Sequence, residues 1–288
     1  MSYKKYLKAV ESCIYPILNY GSEVWGLKNF QKLETIHLRI LRYFLGVHRF
    51  TPTLGILGDF GQIPLQYLRW YNMIRFWNRL IQSDDDRILK KVFLTDYEKC
   101  NSNWCADIKT LFSKIGCPEI FEDMTLCNLD YIKKKLTELY ESVWAEEILK
   151  FPKLRTYRKF KTQFGLENYI KLPMSKRNRS IFGQFRLGVL PLRIETGRFT
   201  NMKVEERLCT LCEQNVVEDE THFLLSCNVY SELRLALFSN VLEIVPDFYT
   251  KCISDKLISL VQKLPPRKVC MFISEAYSKR TDLLYLMN

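Results

Sequence analysis

Four residues of the types that bind soft metal ions lie close together in the last third of the sequence. Cys209 and Cys212 are separated by two residues. His222 follows after nine intervening residues, and Cys227 follows after four more. Two thiolates at the first spacing can hold one ion from a tight turn, and a histidine and a third thiolate from the next element complete a tetrahedron. Because such a set is soft and leaves no open coordination position, the sequence predicts one structural zinc ion and no catalytic metal.

The spacing within this set also predicts local structure. His222 and Cys227 are five positions apart and do not share one face of an ideal α-helix, so Cys227 is expected at or just past a helix end. Convincing β pairing is expected only around Cys209. The alternative is three buried thiols and a surface histidine, since the seven other cysteines are scattered singly, as small buried hydrophobic residues usually are. The loop between the two ligand pairs is acidic and therefore a poor phosphate contact.

A concentrated basic block precedes the cysteines. Residues 150–198 contain thirteen Lys and Arg against two acids, whereas the remainder has thirty residues of each sign, so the block alone carries the net charge of +11. A localised positive charge is the electrostatic footprint of a protein that binds polyanions. We therefore expect contacts to nucleic acid from twelve residues: Lys150, Lys153, Arg155, Arg158, Lys159, Lys161, Lys176, Arg177, Arg179, Arg186, Arg193 and Arg198.

Seven aromatic residues are interleaved with these charges. Exposed rings can stack on unpaired bases while the cations neutralise phosphates. The alternative, which the general burial tendency of aromatic residues favours for each single ring, is that the rings lie in the core and the charges form a solvated face. The seven rings are Phe151, Tyr157, Phe160, Phe164, Tyr169, Phe182 and Phe185.

Apolar periodicity predicts a mainly α-helical chain. Apolar residues at three- and four-residue steps indicate helices over 31–46, 64–81, 128–150 and 176–188. Gly46 and Pro152 are the expected stops for the first and third of these helices. A short helix is expected to start at residues 51–52. Two or three more are expected in 229–288, broken at Pro246 and at 265–266.

A serine followed by three aspartates predicts one further helix start. Ser83 is a favoured N-cap residue, and the acids at 84–86 would stabilise the positive first turn. The alternative is a two-metal carboxylate site, but the apolar hairpin and distant third carboxylate of such sites have no counterpart here. His37 and His48 have no nearby nucleophile or carboxylate pattern, so packing or capping roles are expected. No residue is assigned a catalytic role.

Composition and hydropathy exclude several classes of protein. The chain of 288 residues is 47% hydrophobic and 14% aromatic, which is typical of a folded protein. No apolar run follows the basic N-terminal residues, as a signal peptide would require. No charge-free stretch of about 18 residues, the length of a membrane span, is found. We therefore expect an intracellular protein, nuclear or cytoplasmic and not secreted, with no membrane partner and with reduced cysteines.

Two patches of the sequence resemble one known family. Ile14–Gly26 (IYPILNYGSEVWG) and Leu33–Val47 (LETIHLRILRYFLGV) are similar to the stretch after the polymerase palm in LINE-type (non-LTR) retrotransposon reverse transcriptases, which leads into the helical thumb. Arg186–Arg198 (RLGVLPLRIETGR) and the Cys-Cys-His-Cys set resemble the same family's C-terminal segment with its zinc knuckle. The likeness covers residues 10–82 and 176–238, in the family's order.

The resemblance, together with the helix periodicity and the position of the basic block, predicts an organisation in four parts. They are a thumb-like helical bundle over 1–85, a helical connector with a basic end over 86–175, a basic helix with a small zinc knuckle over 176–238, and C-terminal helices over 239–288. The family's catalytic signature, an aromatic residue shortly before paired aspartates on a hairpin, is absent, and Met1 falls where the family's palm ends.

The resemblance and the charge pattern together predict a function. We expect a non-catalytic, nucleic-acid-binding C-terminal part of a reverse-transcriptase-like protein, with RNA and DNA both open as ligands. One alternative is a subunit or truncated part of an RNA-directed DNA polymerase that needs a palm supplied elsewhere. The other is an inert or domesticated remnant that binds protein.

Overall fold

A computed structural model describes residues 2–239 and 241–287 of the protein. The protein is 69% helical, and β pairing in the described residues consists of two isolated antiparallel bridges, Phe60 with Leu166 and Leu208 with Val217. The predicted mainly α fold is therefore confirmed, and the second bridge is the β pairing expected beside the cysteines. None of the described helices combines the length and the apolar character needed to cross a membrane.

Eighteen α-helical segments make up most of the described chain. The first nine are α1 Tyr3–Cys13, α2 Tyr15–Leu18, α3 Ser22–Trp25, α4 Gln31–Leu45, α5 Thr53–Phe60, α6 Leu65–Gln82, α7 Ile88–Lys99, α8 Trp104–Lys114 and α9 Pro118–Glu122. The others are α10 Leu129–Lys150, α11 Tyr157–Phe160, α12 Asn168–Lys171, α13 Lys176–Arg186, α14 Arg193–Thr196, α15 Ser231–Phe238, α16 Val241–Ile244, α17 Ile253–Lys263 and α18 Pro266–Leu286. Short 3₁₀ turns occur at Pro152–Leu154, Val204–Glu206, Asn228–Tyr230 and Phe248–Thr250, and a π-helical turn at His222–Ser226.

Four long predicted helices are confirmed as α4, α6, α10 and α13. α4 ends where predicted because Gly46 adopts a left-handed φ of 83°, and its N–H donates to the Arg42 carbonyl at 2.8 Å. α13 begins after Ser175, whose hydroxyl accepts the N–H of Asn178 at 3.1 Å. The tail holds α15 to α18, one segment more than predicted because α16 is a single turn.

The predicted helix start at Ser83 is wrong. The Ser83 hydroxyl donates to the Leu80 carbonyl at 2.8 Å and so closes the end of α6. The next helix begins five residues later, after Arg87. Residues 84–86 are exposed, and Asp84 pairs with Arg87 at 3.5 Å. A serine side chain can bond either to the N–H groups that start a helix or to the carbonyls that end one, and here the second bond forms.

The chain divides into two compact units. The first comprises residues 1–39 and 62–144, and the second comprises residues 40–61 and 145–288. α4 and α10 each begin in the first unit and end in the second. The four-part organisation expected from the sequence stays a prediction.

The core of the first unit is built around Trp77, which is fully buried. Its ring centroid lies 5.4 Å from that of Phe93, 5.5 Å from that of Phe112 and 5.4 Å from that of Phe121. The indole N–H donates to the Thr125 carbonyl at 3.0 Å, so the one polar atom of the ring is satisfied. Truncating a tryptophan at such a site costs about 3–5 kcal/mol.

A buried carboxylate closes the start of α6 in the same unit. Glu34 accepts the N–H groups of Leu65 at 2.8 Å and Gln66 at 2.9 Å, the first two of that helix. It also pairs with Arg69 at 2.7 Å. The negative charge lies at the positive end of the helix dipole, so a residue distant in sequence acts as the N-terminal cap.

A buried charge cluster organises the second unit. Asp59 has no exposed surface and accepts the hydroxyl of Tyr157 at 2.9 Å and that of Tyr169 at 2.6 Å. Arg186 donates to both Asp59 oxygens at 3.1 and 3.2 Å and pairs with Glu167 at 2.9 Å. The members of this cluster lie on α5, on the 157–169 segment and on α13, so the cluster joins these three parts of the chain. Every acceptor position of Asp59 is used, which offsets the cost of burying its charge.

Candidate metal centre and basic surface

The four predicted metal ligands lie together in the second unit. The Sγ atoms of Cys209, Cys212 and Cys227 and one ring nitrogen of His222 all lie within 4.8 Å of one another. Nε2 of His222 is 3.5 Å from Sγ of Cys212. Three of the four side chains are buried and that of Cys212 is half-buried. The group can hold a metal ion, and it is the one such group within residues 2–239 and 241–287.

A short hairpin positions the first two ligands. The N–H of Cys209 donates to the Val216 carbonyl at 2.8 Å. The N–H of Glu218 donates to the Arg207 carbonyl at 3.0 Å, on the other side of the isolated bridge. The loop of this hairpin carries Cys212, so the two thiols approach one point from a tight turn, as the spacing predicts.

The π-helical turn positions the other two ligands. The N–H of His222 donates to Oδ1 of Asp219 at 2.8 Å, which fixes the start of the turn. The N–H of Cys227 donates to the His222 carbonyl at 2.9 Å, a bond between residues five apart. This wide turn brings Cys227 towards His222, which a regular α-helix does not do, and such turns are frequent at functional sites. Cys227 directly follows the turn, as predicted.

The proximity of the thiols changes their protonation. A hydrogen bond from the Cys227 thiol, supported by His222, lowers the pKa of Cys209 to about 3 even though burial opposes this. The bond to Cys209 raises the pKa of Cys227, and burial raises the pKa of Cys212. The first proton lost from this group of thiols is therefore lost at a lower pH than from an isolated thiol. A bound dication would allow all three sulfurs to bind as thiolates, with release of protons.

A buried arginine supports the end of the π turn. Arg234 is 8% exposed and donates from Nε to the Leu224 carbonyl at 3.0 Å and from Nη2 to the Cys227 carbonyl at 2.7 Å. None of the ion pairs among the described residues includes it. Three thiolates around a dication carry a net negative charge, which this guanidinium would balance.

Two acids of the loop between the ligand pairs are buried. Glu218 accepts two bonds of 2.7 Å from Arg280 of α18 and a third of 2.7 Å from the backbone N–H of Arg193. Glu220 accepts two bonds of 3.0 Å from Arg155. Sequence reasoning missed these roles because acids in a loop usually face solvent. Through these bonds to Arg155 and Arg193, the loop that lies between the metal ligands is linked to the basic block.

Half of the predicted nucleic-acid contacts are buried or half-buried. Six side chains are buried or half-buried: Lys153, Arg155, Lys161, Arg179, Arg186 and Arg193. Lys161 pairs with Glu167 at 2.6 Å, and Arg179 donates to the Phe44 carbonyl at 2.9 Å. Lys153 pairs with Glu195 at 2.5 Å. Lys161, Arg179 and Arg186 are buried and have partners within the fold, because a buried cation is stabilised by the groups that neutralise it.

The other half lies at the surface. These six are Lys150, Arg158, Lys159, Lys176, Arg177 and Arg198. Lys150 pairs with Glu147 at 2.7 Å, and Arg198 lies 3.8 Å from Glu195. In the described part of the chain, no ion pair includes the remaining four, Arg158, Lys159, Lys176 and Arg177. Their charges are free to meet a polyanion.

The rings of the basic block belong mostly to the core. Five are buried: Tyr157, Phe160, Tyr169, Phe182 and Phe185. Phe164 is half-buried and Phe151 is 39% exposed. The five buried rings are therefore core residues, as the alternative interpretation expected. Among the described residues of the block, Phe151 is the one exposed ring that can stack on a base.

Two histidines outside the metal group differ in environment. His37 is buried, and its Nδ1 lies 2.8 Å from the hydroxyl of Tyr15. Burial lowers the pKa of His37 to about 4, so the neutral ring packs in the first unit. His48 is exposed, and its Nδ1 accepts the N–H of Phe50 at 3.4 Å. The environment of His37 agrees with the predicted packing role, whereas the His48 bond lies in the turn between α4 and α5 and caps neither helix.

Comparisons of the chain with protein-family models, with curated proteins and with solved structures give no match.

Proposed function

We propose that this chain is a non-catalytic, nucleic-acid-binding protein whose binding surface lies in the 150–198 block. One observation carries the proposal: in the described residues, five exposed cations of the block have no carboxylate partner, namely Arg158, Lys159, Lys171, Lys176 and Arg177. An exposed, unpaired cation can neutralise a phosphate and release its counterion without first breaking an internal ion pair.

The proposed metal is a single zinc ion with a structural role. Three sulfurs and one imidazole nitrogen are the donor set that zinc takes in closed tetrahedral sites. The bond of Glu220 to Arg155 supports a bracing role, because Glu220 lies between the ligands and Arg155 lies in the basic block. Metal binding would therefore stabilise the fold that presents the exposed cations.

The proposed origin of the chain is the thumb and zinc-knuckle region of a LINE-type reverse transcriptase. It is supported by the two similar patches at 10–82 and 176–238, which follow the family's order, and by the helical structure of the first patch. The paired aspartates of the catalytic hairpin are missing from the sequence, so we expect no primer extension by the isolated chain.

A charge-removal experiment tests the binding proposal. The variant Lys159→Gln, Lys176→Gln, Arg177→Gln removes three unpaired cations from the block. On a labelled single strand, each lost phosphate contact reduces the log–log salt slope by about 0.7, so the triple variant should flatten it by about two.

The matched control carries Lys91→Gln, Lys99→Gln and Lys133→Gln, three exposed lysines of the first unit. It should bind nearly as the unmodified chain does. Equal losses from both triple variants would contradict a binding surface in the basic block. If the unmodified chain shows no binding at low salt, the nucleic-acid proposal fails altogether.

A further inference from the structure

Two exposed aromatic rings lie beside cations at the end of α4 and in the turn that follows it. Tyr43 and Phe50 are each 67% exposed. Nζ of Lys176 lies 4.6 Å from the ring centre of Tyr43, and Cζ of Arg49 lies 4.7 Å from that of Phe50. Each ring is thus a flat apolar surface in solvent with a positive charge within cation–π distance.

Hydrogen bonds hold this surface in place. The Ser180 hydroxyl of α13 donates to the Gly46 carbonyl at 2.6 Å, which joins the turn to the helix that carries Lys176. Arg42 of α4 donates to the Thr51 carbonyl at 2.7 Å, on the far side of the turn. These two hydrogen bonds hold the backbone of the segment that carries both rings. A segment that is already ordered loses less conformational entropy on ligand binding.

The sequence around the rings carries positive charge alone. Residues 35–58 and 168–194 contain no Asp or Glu, but they contain nine Lys and Arg. Of these, five are exposed and, within the described residues, belong to no ion pair: Arg39, Arg49, Lys171, Lys176 and Arg177. The charge complements phosphates, and the exposed rings complement unpaired bases, which a duplex hides in its stack.

We infer that Tyr43 and Phe50, with Arg49 and Lys176, form a stacking platform for the unpaired bases of a single-stranded nucleic acid. Bases stack on the two rings while the adjacent cations meet the phosphates. This inference rests on the proposed function and specifies its ligand as single-stranded. It also moves the stacking role from the largely buried rings of the basic block to two residues outside it.

The test separates ring stacking from charge. The double variant Tyr43→Leu, Phe50→Leu keeps every cation and replaces two exposed rings, so its thermal unfolding midpoint should not change. Its affinity for a labelled mixed-sequence single strand should fall about 25-fold or more, because each of the two base–ring stacks contributes about fivefold or more. The salt slope should be unchanged. An abasic strand of equal length should bind the double variant and the unmodified chain equally.

The control double variant Tyr20→Leu, Tyr285→Leu removes two other exposed tyrosines, 86% and 82% exposed, and should bind normally. Unchanged affinity of the Tyr43 and Phe50 variant, with loss of affinity in the Lys159, Lys176 and Arg177 variant, would overturn the platform and leave the proposed function standing. An equal loss on the abasic strand would also overturn it, because that strand offers no base to stack.

Discussion

Replacing Arg186 by methionine tests whether this residue serves the core or the ligand. Arg186 is 2% exposed, and its guanidinium is bonded to both oxygens of Asp59 and to Glu167. Its Cζ lies 4.8 Å from the ring centre of Phe160 and 5.0 Å from that of Tyr169. The substitution keeps most of the side-chain volume but leaves the Asp59 carboxylate with hydroxyl donors alone.

The expected loss follows from this burial. Removing one partner of a buried ion pair costs about 3–5 kcal/mol, because the other charge is left without compensation. In a domain of the second unit's size, 1 kcal/mol changes the unfolding midpoint by about 2–4 °C, so a fall on the order of 10 °C is expected. Adding Asp59→Asn to Arg186→Met should recover a substantial part of it, because no buried unpaired charge remains at Asp59.

Calorimetry of the metal-loaded protein measures the unfolding midpoint, and a strand-binding titration at a temperature where all variants are folded measures affinity. Arg186→Met should lower the midpoint and leave the affinity within about twofold. The reasoning is refuted if the midpoint is unchanged while the salt-dependent affinity falls, since Arg186 would then be a phosphate contact and not a core residue.

Three further predictions concern the metal centre and one buried histidine. Protein purified without chelator should contain about one zinc ion per chain, and Cys212→Ser should lose it; full zinc occupancy in that variant would exclude this ligand set. Arg234→Met should weaken zinc binding about tenfold or more in a chelator competition, because Arg234 holds the Cys227 carbonyl and would balance the negative charge of the site; equal affinity would contradict this role. His37 has a folded-state pKa of about 4, below its unfolded value of about 6.5, so only the unfolded chain takes up a proton between these two pH values. As the pH falls from about 6.5 to about 4, the unfolding free energy of the unmodified chain should therefore fall by about 3 kcal/mol relative to that of His37→Gln. Parallel pH profiles of the two proteins would show that His37 does not titrate in this way.

Local patterns account for the parts of the molecule that the sequence predicted well. The apolar spacing within α4 and α10 is a local pattern, and so is the termination of these helices by Gly46 and Pro152. Both act within one or two helical turns, so they can be predicted without knowledge of the tertiary fold. The metal group was likewise predicted from ligand types within nineteen residues. The π turn was not predicted, because no residue pattern separates it from an α-helix of the same length.

Long-range partners explain the parts that sequence reasoning missed. Arg186 and Lys176 have the same charge and lie ten residues apart, but one is buried against Asp59 and the other is exposed. Asp59 lies 127 positions from Arg186, so the charge pattern of the basic block could not reveal the pair. The helix cap that Glu34 provides to α6 is a second case, since its acceptor comes from another helix.

The salt dependence of binding by the unmodified, metal-loaded chain tests the central claim most directly. Five exposed, unpaired cations of the basic block are expected to contact phosphates. The logarithm of the affinity for a labelled single strand should therefore fall linearly with the logarithm of salt concentration, with a slope of about 3.5 in magnitude, since each contact contributes about 0.7. No measurable binding at low salt, or an affinity that does not change with salt, would contradict the claim that this chain binds nucleic acid through that surface.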